Sequence, residues 1–187
     1  MAKPLIIVFL GYPGSGKTYF SRQLAEKLQA VTLNSDALRV SMFGSLERIE
    51  EIRQHDRTRL YADVFGAMDY AARQALRAGH TVIYDAQQTK RENRLGIEKI
   101  AQETGSVPIL VWIKTSRETA MKRGQEREAR DDSNQYDAEK MARLIDRFES
   151  VTDVPDSNEN VIEITGEQPF EEQFKVFLEE ARHFRRE

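Results

Sequence analysis

Eight residues, Gly11-Tyr12-Pro13-Gly14-Ser15-Gly16-Lys17-Thr18, constrain this chain more than any other stretch. They fit the pattern G-x-x-x-x-G-K-[S/T]. An apolar run, Leu5 to Leu10, precedes them and reads as a buried strand. Phe20, Leu24 and Leu28 follow at four-residue steps, the spacing of one helix face. Strand, glycine-rich loop and helix in that order are the context in which this motif carries chemistry. The glycines let the backbone curl so that successive N–H groups point inward at a polyphosphate. The helix N-terminus adds partial positive charge. The cradle is expected from Gly11, Pro13, Gly14, Ser15 and Gly16. Lys17 is expected at the β- and γ-phosphates, and the Thr18 hydroxyl on Mg²⁺.

The rest of the chain alternates short apolar runs with helical stretches, which predicts a parallel sheet with crossover helices. Strands are expected at Leu5–Leu10, Val31–Leu33, His80–Asp85, Val107–Lys114 and Val161–Ile164. Together with their helices they give an α/β domain of three layers, α/β/α. The 187 residues read as one domain, 1–187. Residues 44–56 are polar and mixed, and read as a mobile connection or a short helix. From Arg57 to Ala78, apolar residues step at helical spacing, and Gly79 suits the position that stops that helix. Thr89-Lys90-Arg91-Glu92 and Thr115-Ser116-Arg117-Glu118 both read as capping boxes. The last two helices are expected to bury Met141, Leu144, Ile145, Phe148 and Val151, and Phe170, Phe174, Phe177 and Leu178.

Composition narrows the classes. There is no cysteine, which excludes disulfides and thiolate metal sites. No apolar run is long enough to span a membrane, and the N-terminus lacks the features of a signal peptide. A cytoplasmic protein is expected, with no membrane partner. The net charge is −3, so any grip on nucleic acid must be local rather than general.

In open parallel sheets, ligands sit beyond the carboxyl ends of the strands. Asp36 stands at the end of the second strand with Arg39 three residues on, hence on the same helix face. A carboxylate there suits the orientation and deprotonation of an acceptor hydroxyl; the alternative is a helix cap beside a surface arginine. Asp85 ends the third strand and can serve Mg²⁺ or a lid arginine, or simply form a turn. Gln87, Arg91 and Arg94 follow on the same rim, and Arg94 is the candidate for an acceptor contact. Arg123, Arg127 and Arg130 form one stripe of like charge on a helix with little apolar surface. That combination reads as a lid over a triphosphate, about residues 117–136, against the alternative of a solvated, ion-paired helix. His55 and His80 have no partner at metal-ligand spacing, and Trp112 reads as core.

Gly11–Thr18, Asn34–Arg39, Ile83–Gln88 and Lys122–Arg127 together resemble the P-loop kinases grouped with the kinase module of bacteriophage polynucleotide kinase. The likeness to zeta toxins and chloramphenicol phosphotransferase is more distant. The resemblance spans nearly the whole chain. It implies a sheet of order 2-3-1-4-5. It implies ATP and Mg²⁺ held by Lys17 and Thr18, Asp36 as general base, and Arg39 on the acceptor. Asp85 would support the site, and Arg123 and Arg127 would close from the lid. Two features depart from that family: no second phosphatase or ligase domain, and a 44–56 segment that mixes Glu47, Glu50 and Glu51 with Arg48 and Arg53. The reading is therefore an ATP-dependent kinase acting on a hydroxyl. The 5′-OH of nucleic acid or a nucleoside leads as acceptor. A metabolite, sugar or antibiotic is the alternative, and a nucleotide-binding regulatory module with weak ATPase activity is the reading from another class. The oligomeric state is not fixed by the sequence.

Overall fold

The first strand, β1 (Leu5–Leu10), is buried along its whole length. A strand covered on both faces needs a continuous apolar run rather than an alternating one, and Leu-Ile-Ile-Val-Phe-Leu supplies it. The computed structural model describes residues 2–126 and 137–185. Along these, β1 is followed by α1 (Lys17–Leu28), β2 (Val31–Asn34), α2 (Ser35–Phe43) and α3 (Leu46–Arg77). Then come β3 (Val82–Asp85), α4 (Arg91–Thr104), β4 (Val107–Lys114) and α5 (Arg117–Gln125). The chain continues through α6 (Ala138–Val151), β5 (Val161–Thr165) and α7 (Phe170–Phe184).

The five strands form one sheet in the order β2-β3-β1-β4-β5, and each neighbouring pair is parallel. Alternate residues of β1 enter two cores. Leu5, Ile7 and Phe9 meet Phe20 and Leu24 of α1 and Phe170 and Phe177 of α7. Ile6, Val8 and Leu10 meet Val64 and Met68 of α3 and Ile97 and Ile100 of α4. Each of these side chains contributes about 1.5–3 kcal/mol by leaving water. The sheet is thereby held rigid between two helical layers, and its carboxyl edge becomes a fixed platform.

Local chemistry explains the ends of the elements. The α3 helix stops in a Schellman motif. The Gly79 N–H donates to the Leu76 carbonyl at 2.9 Å and the His80 N–H to the Ala75 carbonyl at 3.0 Å. Gly79 takes a φ of 87°, which only glycine adopts cheaply. Residues 44–56, expected as a connection or short helix, are helical from Leu46 onward. Ser45 caps this helix by accepting the Arg48 N–H. Asp56 breaks it at φ −150°, ψ 76°, and its carboxylate accepts the Arg59 N–H. Asp56 is thus an internal cap that restarts the helix in a new direction.

Both capping boxes need correction. α4 has no cap from its own Thr89; the Arg91 N–H donates instead to the carboxylate of Asp153, 62 residues away, at 2.9 Å. At α5 the cap is Ser116, which accepts the Thr119 N–H. That shifts the motif by one residue and leaves Glu118 out of it. Thr115, freed from capping, donates its hydroxyl to the Ser15 carbonyl in the phosphate loop. The expected inward faces of the last two helices are observed except at Val151, which is only half-buried. Met141, Ile145, Phe170 and Phe177 are buried, and Leu144, Phe148, Phe174 and Leu178 pack partly buried against the cores.

Candidate active site

The loop between β1 and α1 carries positive φ at Gly11, Gly14 and Gly16. At two of these, space as well as conformation demands glycine. A Cβ on Gly11 would stand 2.7 Å from the Ile113 carbonyl oxygen, and one on Gly14 would overlap the Ala120 carbonyl. The loop is therefore clamped against β4 and α5, and its amides are set before any anion arrives. Gly16 caps α1, so the helix opens at Lys17 with the orientation that favours a phosphate.

Lys17 folds over the loop and donates to the Gly11 and Tyr12 carbonyls at 2.6 and 2.7 Å. Burial pushes its ammonium down from 10.5 to about 8, while the nearby charge of Asp85 works in the opposite direction. Asp85 also accepts from the Asn34 amide at 2.7 Å. This contact follows from the sheet register, in which Asn34 pairs with Asp85. The other side of the same Asn34 amide caps α2 by accepting the Ala37 N–H. One side chain thus fixes both Asp85 and the helix that carries Asp36.

Asp36 lies in the first turn of α2 and is 82% exposed, while Arg39 is 12% exposed and donates to it at 2.8 Å. The Arg39 guanidinium also lies 5.3 Å from the centre of the Tyr61 ring, with Arg57 at 5.5 Å from the same ring. Arg39 is thus held by α3 while its carboxylate partner faces open space. The helix cap is Asn34, not Asp36, which removes the simplest structural explanation for that acid.

On the far side of the loop, exposed Arg123 donates to the Gly166 carbonyl at 2.8 Å. A Cβ on Gly16 would stand 3.7 Å from the same guanidinium nitrogen. Arg123 therefore borders the loop where the helix begins. Arg127 and Arg130 lie outside the described residues.

Thr18 is exposed in the first turn of α1, and Asp85 stands near Lys17. Among the described residues, no three His, Asp or Glu side chains gather into a metal cage. The donor set suits Mg²⁺, which is commonly held by one or two protein oxygens with phosphate and water completing the shell.

Two expectations change. Arg94 does not line an acceptor pocket. It is 2% exposed, and all five of its N–H groups are taken by Glu159, Gln88, Thr89 and Asp153. It ties α4 to the segments around it. Trp112 is half-buried: it packs against the α3 and α4 core and also lines a cavity beside the loop. Sequence reasoning missed Asn34 as a bridge, a contact that strand pairing could have suggested. It also missed Tyr61, for which no local signal existed, because its meeting with Arg39 depends on how α2 packs on α3.

The sheet order, the clamped phosphate loop and the acids at the strand ends define a P-loop domain of the kinase-like type. The chain belongs to the AAA domain family AAA_33, whose model matches residues 6–151. A proposed kinase from Chloroflexus aurantiacus has a similar structure, with a TM-score of 0.70 at 18% identity over 98% of this chain and 99% of that one. A gluconokinase from Sinorhizobium meliloti gives 0.62 at 19% identity, over 98% and 95%. The APS kinase CysC of Mycobacterium tuberculosis, in complex with AMPPNP and APS, gives 0.63 at 21% identity, over 97% and 99%. At these identities the likeness establishes the shared fold. No curated protein matches the sequence. Among the described residues, no helix is long and apolar enough to cross a membrane.

Proposed function

We propose that this protein is an ATP-dependent kinase that transfers the γ-phosphate to a hydroxyl of a small molecule. The observation that carries the reading is the Asp36–Arg39 pair at the end of β2. Its carboxylate is open to solvent and its arginine is fixed by Tyr61. Asp36 orients the acceptor hydroxyl and accepts its proton. Arg39 holds a polar group of the acceptor. Lys17 and the loop amides bind the β- and γ-phosphates, and Asp85, held by Asn34, keeps Lys17 and the metal shell in register. Arg123 neutralises charge on the transferring group, a role the sequence motif extends to Arg127. Thr18 and Asp85 would hold Mg²⁺, which would supply neutralisation of phosphate charge.

A small-molecule acceptor is favoured over a polynucleotide 5′-OH. Arg48 and Arg53 at the start of α3 are paired with Glu51 and Glu50 on the same helix, so this stretch offers no basic track for a phosphate backbone. The structural neighbours include proteins described as a gluconokinase and an APS kinase. Salt separates the two acceptors. A polynucleotide gripped through several phosphates loses affinity steeply as salt rises; a small alcohol does not. A KM for the acceptor that stays flat with salt supports this reading, and a steep rise overturns it.

A further inference from the structure

A cavity of about 460 Å³ opens between the end of β4, the C-terminal half of α6 and the outer flank of the phosphate loop. Such a volume falls in the range of small-molecule sites. Its walls include the rings of Tyr12, Trp112 and Phe148 and the side chain of Val154. Tyr12 and Phe148 meet edge to face at 5.3 Å. The polar groups at its rim are already engaged by protein. The Tyr12 hydroxyl donates to Glu149 at 2.7 Å, and Arg117 pairs with the same carboxylate at 3.2 Å. Lys114 is paired with Glu163 and rests on the Trp112 ring. Thr115 and Thr152 donate to carbonyls, and Ser116 is tied to Glu167. What remains to meet a ligand is aromatic and aliphatic surface with balanced charge. An anion would lose water there and gain no unpaired cation among the described residues.

The cavity adjoins the phosphate loop at Gly11 and Tyr12, whose carbonyls accept from Lys17, and it lies on the β4 side of that loop, whereas Asp36 follows β2. In the strand order, β4 and β2 lie on opposite sides of β1, three strand spacings apart, or about 14 Å. Its Lys114–Ser116 rim borders the Gly166 segment, where the Gly166 N–H donates to the Lys114 carbonyl and Ser116 donates to Glu167, while Trp112 on the other wall packs with the α3 and α4 core.

We propose that this cavity is a second ligand site, which takes a neutral, flat heteroaromatic molecule through ring stacking and apolar contact. Trp112 is the chain's single tryptophan, so its emission reports occupancy directly. The probes are caffeine and nicotinamide, neutral planar heterocycles without a hydroxyl to phosphorylate, with sorbitol as the polyol control. Their binding is therefore independent of whether the protein is a kinase. Saturable quenching of Trp112 by at least one heterocycle is expected, with none by sorbitol. Val154 is 73% exposed at the mouth, so substitution there spares the core. Val154→Asp should weaken binding about tenfold or more by placing a charge against an apolar ligand, while Val154→Ala retains it. Saturating AMPPNP should leave the binding curve in place. Quenching that is only linear, binding unchanged in Val154→Asp, or competitive displacement by AMPPNP would each overturn the proposal.

Discussion

The protonation of Lys17 offers a quantitative test of the phosphate loop. Burial lowers its ammonium to about 8, against the opposing influence of Asp85. A bound triphosphate surrounds that nitrogen with negative charge, which returns it to the ordinary lysine range. Binding therefore takes up a proton once the pH exceeds the free value. The sign follows: affinity is complete below about pH 8 and declines as pH rises through it. One pH unit below the midpoint about 90% of the free protein carries the charge, and one unit above about 10% does, so affinity should fall about tenfold between pH 7 and pH 9, or ~1.3 kcal/mol. The same depressed value acts oppositely on the free protein. The charged form is penalised by folding below about pH 8, and the penalty fades as pH climbs toward the unfolded lysine value. Calorimetric titration with AMPPNP and Mg²⁺ in two buffers of different ionisation enthalpy measures both affinity and proton uptake. Lys17→Met should bind weakly with no such slope. A parent protein whose affinity is flat across this range, or a Lys17→Met variant with an equal slope, would refute the reasoning.

Other substitutions separate chemistry from architecture. Asp36→Asn should lower kcat by about 10²–10⁴ and leave the AMPPNP Kd unchanged. Because Asp36 is exposed, its loss should barely move the urea midpoint. Arg94→Met leaves the buried Glu159 carboxylate with only Arg91, 3.5 Å away, and the Asp156 N–H, so stability should drop by about 3 kcal/mol in urea unfolding, with the acceptor KM of the folded fraction unchanged. A changed acceptor KM would return Arg94 to the site. Gly14→Ala must hold a positive φ and displace the Ala120 carbonyl, at about 1–3 kcal/mol for the strain alone. It should abolish measurable AMPPNP binding while the circular dichroism of the parent is retained.

The sheet was legible in the sequence because buried parallel strands and their crossover helices leave distinct periodic marks. Leu5–Leu10 is unbroken apolar sequence, and Phe20 and Leu24 recur at helical spacing. The loop was legible because its conformation needs glycine at fixed offsets. Less visible were contacts made between elements distant in the chain. Asp153 replaces Thr89 as the cap of α4 from 62 residues away, and no local pattern announces such a partner. Arg94 illustrates the same limit. An arginine just past a strand end reads as a ligand contact, and only the approach of Glu159 and three carbonyls reveals an internal tie. Asp36 was readable as an acid following the second strand, in the first turn of the next helix. That Asn34, rather than Asp36, caps the helix emerged only from the side-chain geometry.

The central claim is transfer of phosphate to a hydroxyl at Asp36, and the most direct measurement is a γ-labelled ATP assay against a panel of sugars, sugar acids, nucleosides, antibiotics and 5′-OH oligonucleotides. The account predicts label on at least one small alcohol, at a rate well above background hydrolysis, and its loss in Asp36→Asn with AMPPNP binding intact. Label found only on oligonucleotides, label transfer undiminished in Asp36→Asn, or ATP consumed with no acceptor labelled would contradict it.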